Sequence, residues 1–214
     1  ALEGNAAIVA FSSGELFALR GDNGRVLWSD SLAGALRADP ISSLADIRGL
    51  PVIDHGQVFA ASNAGRIVSI DLRSGGRIWD QNIGSISTPW LAGDFIFLTT
   101  VDSELVCLTR RDGRVRWVKQ LDRYRDEKAK RDRIVWTGPV LAGGKLFLAN
   151  SRGDGLVVSP LTGEIADKVD LRGPVFVSPV FVSPRAPFLG VVSPVLVSPA
   201  LPERVFSSRF CWSA

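Results

Sequence analysis

The chain of 214 residues contains no methionine, one histidine, one tyrosine and two cysteines. A single histidine, His55, rules out a multi-histidine metal set. It stands beside Gly56 in a turn pattern, where a histidine is far more often solvent-exposed than catalytic. Cys107 and Cys211 fit neither a zinc nor a redox spacing. Cys107 lies in an alternating apolar stretch and reads as a small buried hydrophobe. No apolar run approaches the roughly 20 residues of a membrane-spanning helix. Residues 1–11, "ALEGNAAIVAF", have no initiating methionine, basic n-region or apolar h-region, so the chain reads as mature, trimmed or partial. Charge of one sign is also scarce. The formal net charge is +3, too weak and scattered to indicate nucleic acid. Phosphate loops are missing as well, because "GDNG" and "AGG" read as turn glycines.

What is present points to β structure. There are 21 glycines, 12 prolines, six tryptophans and 11 phenylalanines. Short alternating apolar runs, with turn signals every 8 to 12 residues, predict antiparallel strands of about six residues.

The runs repeat. "ALRGDNGRVLW" (18–28), "SIDLRSGGRIW" (69–79), "CLTRRDGRVRW" (107–117) and "VVSPLTGEIAD" (157–167) align on a turn glycine. It recurs as Gly24, Gly75, Gly113 and Gly163, and the aromatic that follows it as Trp28, Trp79 and Trp117. In the fourth copy Asp167 replaces the tryptophan. A second landmark, proline then apolar residues, a glycine turn and an alternating run, begins at Pro51, Pro89 and Pro139. One unit of about 40 residues with four strands is the signature of a β-propeller blade. The units lie at about 1–34, 49–86, 87–123 and 137–173. The glycine supplies the turn's positive φ, and each tryptophan is expected to dock against a neighbouring blade, burying about 150–250 Å².

The pattern small-x-Asp-x-x-(Thr/Ser)-Gly-x-x-x-Trp resembles the repeat of the PQQ-like propeller superfamily. Residues 69–79 match it fully, whereas Arg20 replaces the aspartate in the first copy. Within that superfamily the chain is similar to the BamB-like outer-membrane assembly lipoproteins of Gram-negative bacteria. The carriers are "ADIRGLPVIDHGQVFA" running into "SIDLRSGGRIWDQNIGS", then "TPWLAGDFIFL" and "IVWTGPVLAGGKLFL". The resemblance implies an all-β, PQQ-like propeller, with about four blades of an eight-bladed ring within residues 1–179. It implies a non-catalytic scaffold without cofactor or metal, periplasmic and attached to the outer membrane through a lipid anchor outside this chain. The implied partner is the β-barrel insertase and its complex, bound through rim loops. In such proteins acidic residues just before a "P-V" strand contact the insertase. Here that segment is "SLADIRG": Asp46 takes the first acidic position and Arg48 stands where a second acid is expected.

Two other readings stay open. A quinone-dependent dehydrogenase fragment would share the tryptophan repeat, but many of the alcohol-oxidising ones carry adjacent cysteines, which this sequence lacks. A generic periplasmic propeller with another ligand is the third. Outside the repeat, "DRYRDEKAKRDR" (122–133) mixes both charges densely and reads as a solvated loop or a short helix with i,i+4 pairs. Residues 180–214 are rich in serine and proline, contain no Asp or Lys, and repeat "VSP". They read as an irregular tail, either a Pro-rich extension or sequence foreign to the propeller.

Overall fold

The computed structural model describes residues 1–32 and 47–176. These belong to one compact unit, Ala1–Phe181. Asp46 and the proline-rich tail lie outside the described residues.

Among the described residues four four-stranded antiparallel sheets follow one another, and each is a meander of strands in sequence order. Sheet I holds β1 (Leu2–Glu3), β2 (Ala6–Ala10), β3 (Glu15–Arg20) and β4 (Val26–Ser31). Sheet II holds β5 (Val52–Asp54), β6 (Gln57–Ser62), β7 (Arg66–Asp71) and β8 (Arg77–Gln81). Sheet III holds β9 (Trp90–Ala92), β10 (Phe95–Thr99), β11 (Glu104–Thr109) and β12 (Val115–Gln120). A two-stranded hairpin, β13 (Tyr124–Asp126) and β14 (Arg131–Arg133), precedes sheet IV. Sheet IV holds β15 (Trp136–Ala142), β16 (Lys145–Asn150), β17 (Asp154–Val158) and β18 (Ile165–Asp170).

The sheets pack face to face in succession, the layering of a propeller. Strand alternation makes this possible, because successive side chains point to opposite faces. In sheet II, Val58, Ala60, Val68 and Ile70 join Ile8, Leu16 and Ala18 of sheet I in one core. The intervening Phe59, Ala61 and Ile67 join Ile96, Leu98, Val106 and Leu108 of sheet III. The opposite face of sheet III, with Phe97, Leu105 and Cys107, packs on Leu146, Leu148, Leu156 and Val158 of sheet IV. The middle strands are thus buried on both sides, and a side chain such as Phe59 or Phe97 contributes about 2–3 kcal/mol by leaving water.

The turn between third and fourth strands is the same in all four sheets. The N–H groups of Gly24, Gly75, Gly113 and Gly163 donate to the carbonyls of Arg20, Asp71, Thr109 and Ser159 at 2.8–2.9 Å. A register shift follows in every copy, as a bulge requires. The tryptophans of the fourth strands close on the next sheet's turn. Trp28 Nε1 donates to the Leu72 carbonyl (2.8 Å), Trp79 Nε1 to Arg110 (2.9 Å) and Trp117 Nε1 to Pro160 (3.0 Å). Each indole lies flat against the turn glycine. A Cβ on Gly75 would stand 2.5 Å from Trp28, and one on Gly113 or Gly163 would stand 2.6 Å from Trp79 or Trp117. Nothing lies within 4 Å of a Cβ on Gly24, and Asp167 is exposed on β18.

One expectation is corrected. The charged insert is neither a loop nor a helix. Its strands pair as Tyr124↔Arg133 and Asp126↔Arg131. The reason is local: Glu127 Oε1 accepts the amides of Arg123 and Tyr124, Asp126 Oδ1 accepts those of Lys128 and Ala129, and Ile134 N–H closes the base on the Arg123 carbonyl. Acid-capped turns compete with helix in this way.

Gly113→Ala should cost about 3 kcal/mol or more, combining left-handed strain with displacement of Trp79. Gly143, also at positive φ (54°) but with nothing within 4 Å of a Cβ, isolates the strain alone. Gly143→Ala should cost about 1 kcal/mol. Urea unfolding of both variants compares them, and equal losses would show that the indole contact adds nothing.

Candidate interaction face

Meander topology divides the unit into two ends. Turns joining first to second and third to fourth strands lie at one end. Turns joining second to third strands, with the connections between sheets, lie at the other. The first end carries the indole clasps and a further clamp. Arg110 Nη1 donates to Asp54 Oδ2, its Nη2 donates to the Asp54 carbonyl (2.7 Å), and its guanidinium stands 5.5 Å from the Phe59 ring centroid. Arg110 therefore ties sheet III to sheet II by side chain and, through Trp79, by backbone. His55 sits beside it, its Nδ1 2.8 Å from Asp54 Oδ1 and its side chain 82% exposed. Between sheets I and II the matching tie is bidentate, from Arg77 Nε and Nη2 to Asp30 at 2.7 Å.

The connection end presents the segment singled out from sequence. Asp46 lies outside the described residues. Arg48 is exposed between two buried residues, Ile47 and Gly49. Ile47 enters the core shared by sheets I and II. Gly49 has no room for a side chain, because a Cβ would meet the Ser87 carbonyl at 2.4 Å. Leu50 N–H donates to Thr88 Oγ1 (3.0 Å), while its side chain is 70% exposed. Residues 47–50 are thus pinned by backbone and display Arg48 and Leu50 outward.

Buried hydroxyls fix the neighbouring connections. Ser85 Oγ donates to the Thr99 carbonyl (2.7 Å), and Thr99 Oγ1 donates to the Gly138 carbonyl (3.1 Å). A groove of about 370 Å³ runs between sheets III and IV, lined by Leu121, Trp136, Leu156 and Ile165 with Arg152 and Asp154. Among the described residues no three metal-ligating side chains converge. Burial pushes the Cys107 thiol up to about 11, which leaves it protonated and unreactive.

The structure brings Trp28 to Gly75, Trp79 to Gly113 and Trp117 to Gly163. It also reveals residues the repeat did not flag. Asp54, Arg110, Asp30 and Arg77 have no counterpart at equivalent places in the other copies: the position two past the tryptophan is Asp30, Gln81 and Lys119 in turn. A pair that occurs once leaves no periodic trace.

A family model described as outer membrane protein assembly factor BamB matches residues 1–119. The outer membrane protein assembly factor BamB of Salmonella typhimurium is 29% identical over 148 residues, which is 69% of this chain and 36% of that protein. The chain therefore spans little more than a third of that relative's length. The crystal structure of BamB from Moraxella catarrhalis superposes with a TM-score of 0.73 at 21% identity, covering 85% of this chain and 52% of that one. A europium-containing methanol dehydrogenase superposes with a TM-score of 0.60 at 14% identity, over 78% of this chain and 40% of that one, a likeness of fold alone.

The clamp has a pH signature. Burial draws the Asp54 carboxyl upward, but the hydrogen bond and charge of Arg110, with His55, hold it below its ordinary 3.8. A depressed carboxylate stabilises the fold above its unfolded value, and that contribution is lost as the pH falls through the folded value. Asp54→Asn should lower the Tm at pH 7 and lose less than wild type between about pH 4 and pH 2, the range in which a depressed carboxylate titrates. Thermal unfolding across that range checks it, and parallel Tm curves would remove Asp54 from the account.

Proposed function

The chain belongs to the outer membrane protein assembly factor BamB family, and from that premise we propose that it is a non-catalytic scaffold of the outer-membrane β-barrel assembly machinery. It binds the barrel insertase through the connections between its sheets. It works in the periplasm of a Gram-negative bacterium, held at the outer membrane by a lipid anchor that the described sheets do not supply.

One observation supports this most directly. The segment at residues 47–50 is held rigid by Ile47 and Gly49, yet shows Arg48 and Leu50 to solvent. A charged residue next to an exposed leucine on a fixed backbone suits protein recognition, because little conformational freedom remains to be lost on binding. The arrangement makes and breaks no bond. The clasps between sheets keep successive connections at set distances, which is what a scaffold requires.

Asp46 and Arg48 are the proposed contacts. In the full-length protein, Asp46→Arg should weaken capture of purified insertase by about tenfold, the scale of a lost interfacial charge contact. Arg48→Glu tests the second position. Capture unchanged by Asp46→Arg, with an intact circular dichroism spectrum, removes Asp46 from the contact set. Wild-type protein that fails to retain insertase removes the scaffold reading itself.

A further inference from the structure

We propose that the β13–β14 hairpin is a docking arm for an acidic protein segment. The proposal rests on the scaffold reading only for its choice of a protein partner.

The hairpin interrupts the repeat. Pro51 and Pro89 are 38 residues apart, while Pro89 and Pro139 are 50 apart, and the excess holds these two strands. An insert that packs no core could be left loose, but this one is fixed at its base. Trp136 Nε1 donates to the Asp122 carbonyl (2.9 Å), Arg123 Nε to the Asp102 carbonyl (2.7 Å) and Arg133 Nη2 to the Val101 carbonyl. Two of its arginines therefore grip one turn of sheet III. Its direction is set by the body of the protein.

Charge is sorted within it. Asp126 and Glu127 are turned onto backbone amides. Arg125, Lys128, Lys130 and Arg131 are exposed and form no ion pair among the described residues. Residues 123–133 contain six basic and three acidic side chains, so this one arm carries a formal +3, equal to the net charge of the whole chain. The remaining residues sum to zero. Lys130 holds left-handed backbone (φ 51°) at a place where glycine would be unstrained. A cation kept at such a position is expected where the side chain itself is used.

The fixed, cationic arm fits an acidic polypeptide better than a lipid surface. Between the strands the only apolar residue is Ala129, and the hairpin's one aromatic, Tyr124, is half-buried at its base rather than at the tip where a membrane interface would be met. Like residues 47–50, it belongs to a connection between successive sheets.

The experiment uses the whole chain and a labelled 12-residue Asp/Glu peptide, read by fluorescence anisotropy at low and physiological salt. The comparison is the variant R125E/K128E/K130E/R131E, whose four changes are all at exposed positions. Wild type should bind the peptide, weaken with salt, and bind at least tenfold more tightly than the variant. Equal binding by the two, or no binding by wild type, overturns the proposal. So does binding of wild type to anionic vesicles without peptide binding, which assigns the arm to lipid instead. Insertase capture separates the two levels. A variant that loses the peptide and captures less insertase supports the arm's role, and one that captures insertase as wild type does leaves the scaffold reading in place while overturning this one.

Discussion

The structure depends on an indole laid against a glycine. Each fourth-strand tryptophan spans to the next sheet, covers its turn glycine and donates one hydrogen bond to a carbonyl of that turn. Three demands meet at one residue. The turn needs positive φ, the indole needs a surface without a Cβ, and the buried N–H needs an acceptor. Glycine satisfies the first two, and its own turn supplies the third through the backbone. With that contact set, the two faces of each middle strand meet different neighbours, and a separate apolar cluster fills each of the three junctions between sheets.

Side-chain ties then adjust each junction separately. Asp30 with Arg77 serves the first, Asp54 with Arg110 the second, and the Thr99 hydroxyl on the Gly138 carbonyl the third. The indole clasp is common to all three, whereas the polar supplement differs at each. With this division, the connections can vary in sequence without loosening the stack beneath them. Arg48 is displayed by a segment whose backbone is held from below by Ile47 and Gly49, and the basic hairpin is held in the same manner from sheet III.

The sheets were legible in the sequence because their cause is periodic. Alternation, turn glycines and tryptophans recur, and the strands around His55, Gly65 and Gly75 fall where the turn signals place them. The acceptor of each indole was not legible. It is a main-chain carbonyl, so the residue carrying it can be Leu72, Arg110 or Pro160 without altering the contact. The hairpin is hidden in the sequence for a related reason. Dense mixed charge suggests i,i+4 pairing along a helix, but Asp126 and Glu127 bond to nearby amides instead, and composition does not reveal that choice. Of the two contact positions taken from family resemblance, Arg48 has a described environment and Asp46 lies outside the described residues.

The clasps all point one way along the chain, from a sheet to the one that follows. The donor therefore precedes its acceptor in order of synthesis, by 44 residues for Trp28, 31 for Trp79 and 43 for Trp117. A chain made from its N-terminus always carries one large aromatic waiting for a turn that has not yet emerged. Each new sheet shields the indole before it and, until the fourth, exposes its own. With Asp167 at the corresponding place in sheet IV, that relay hands nothing forward, and the growing chain leaves its last described sheet with a soluble carboxylate at the seam.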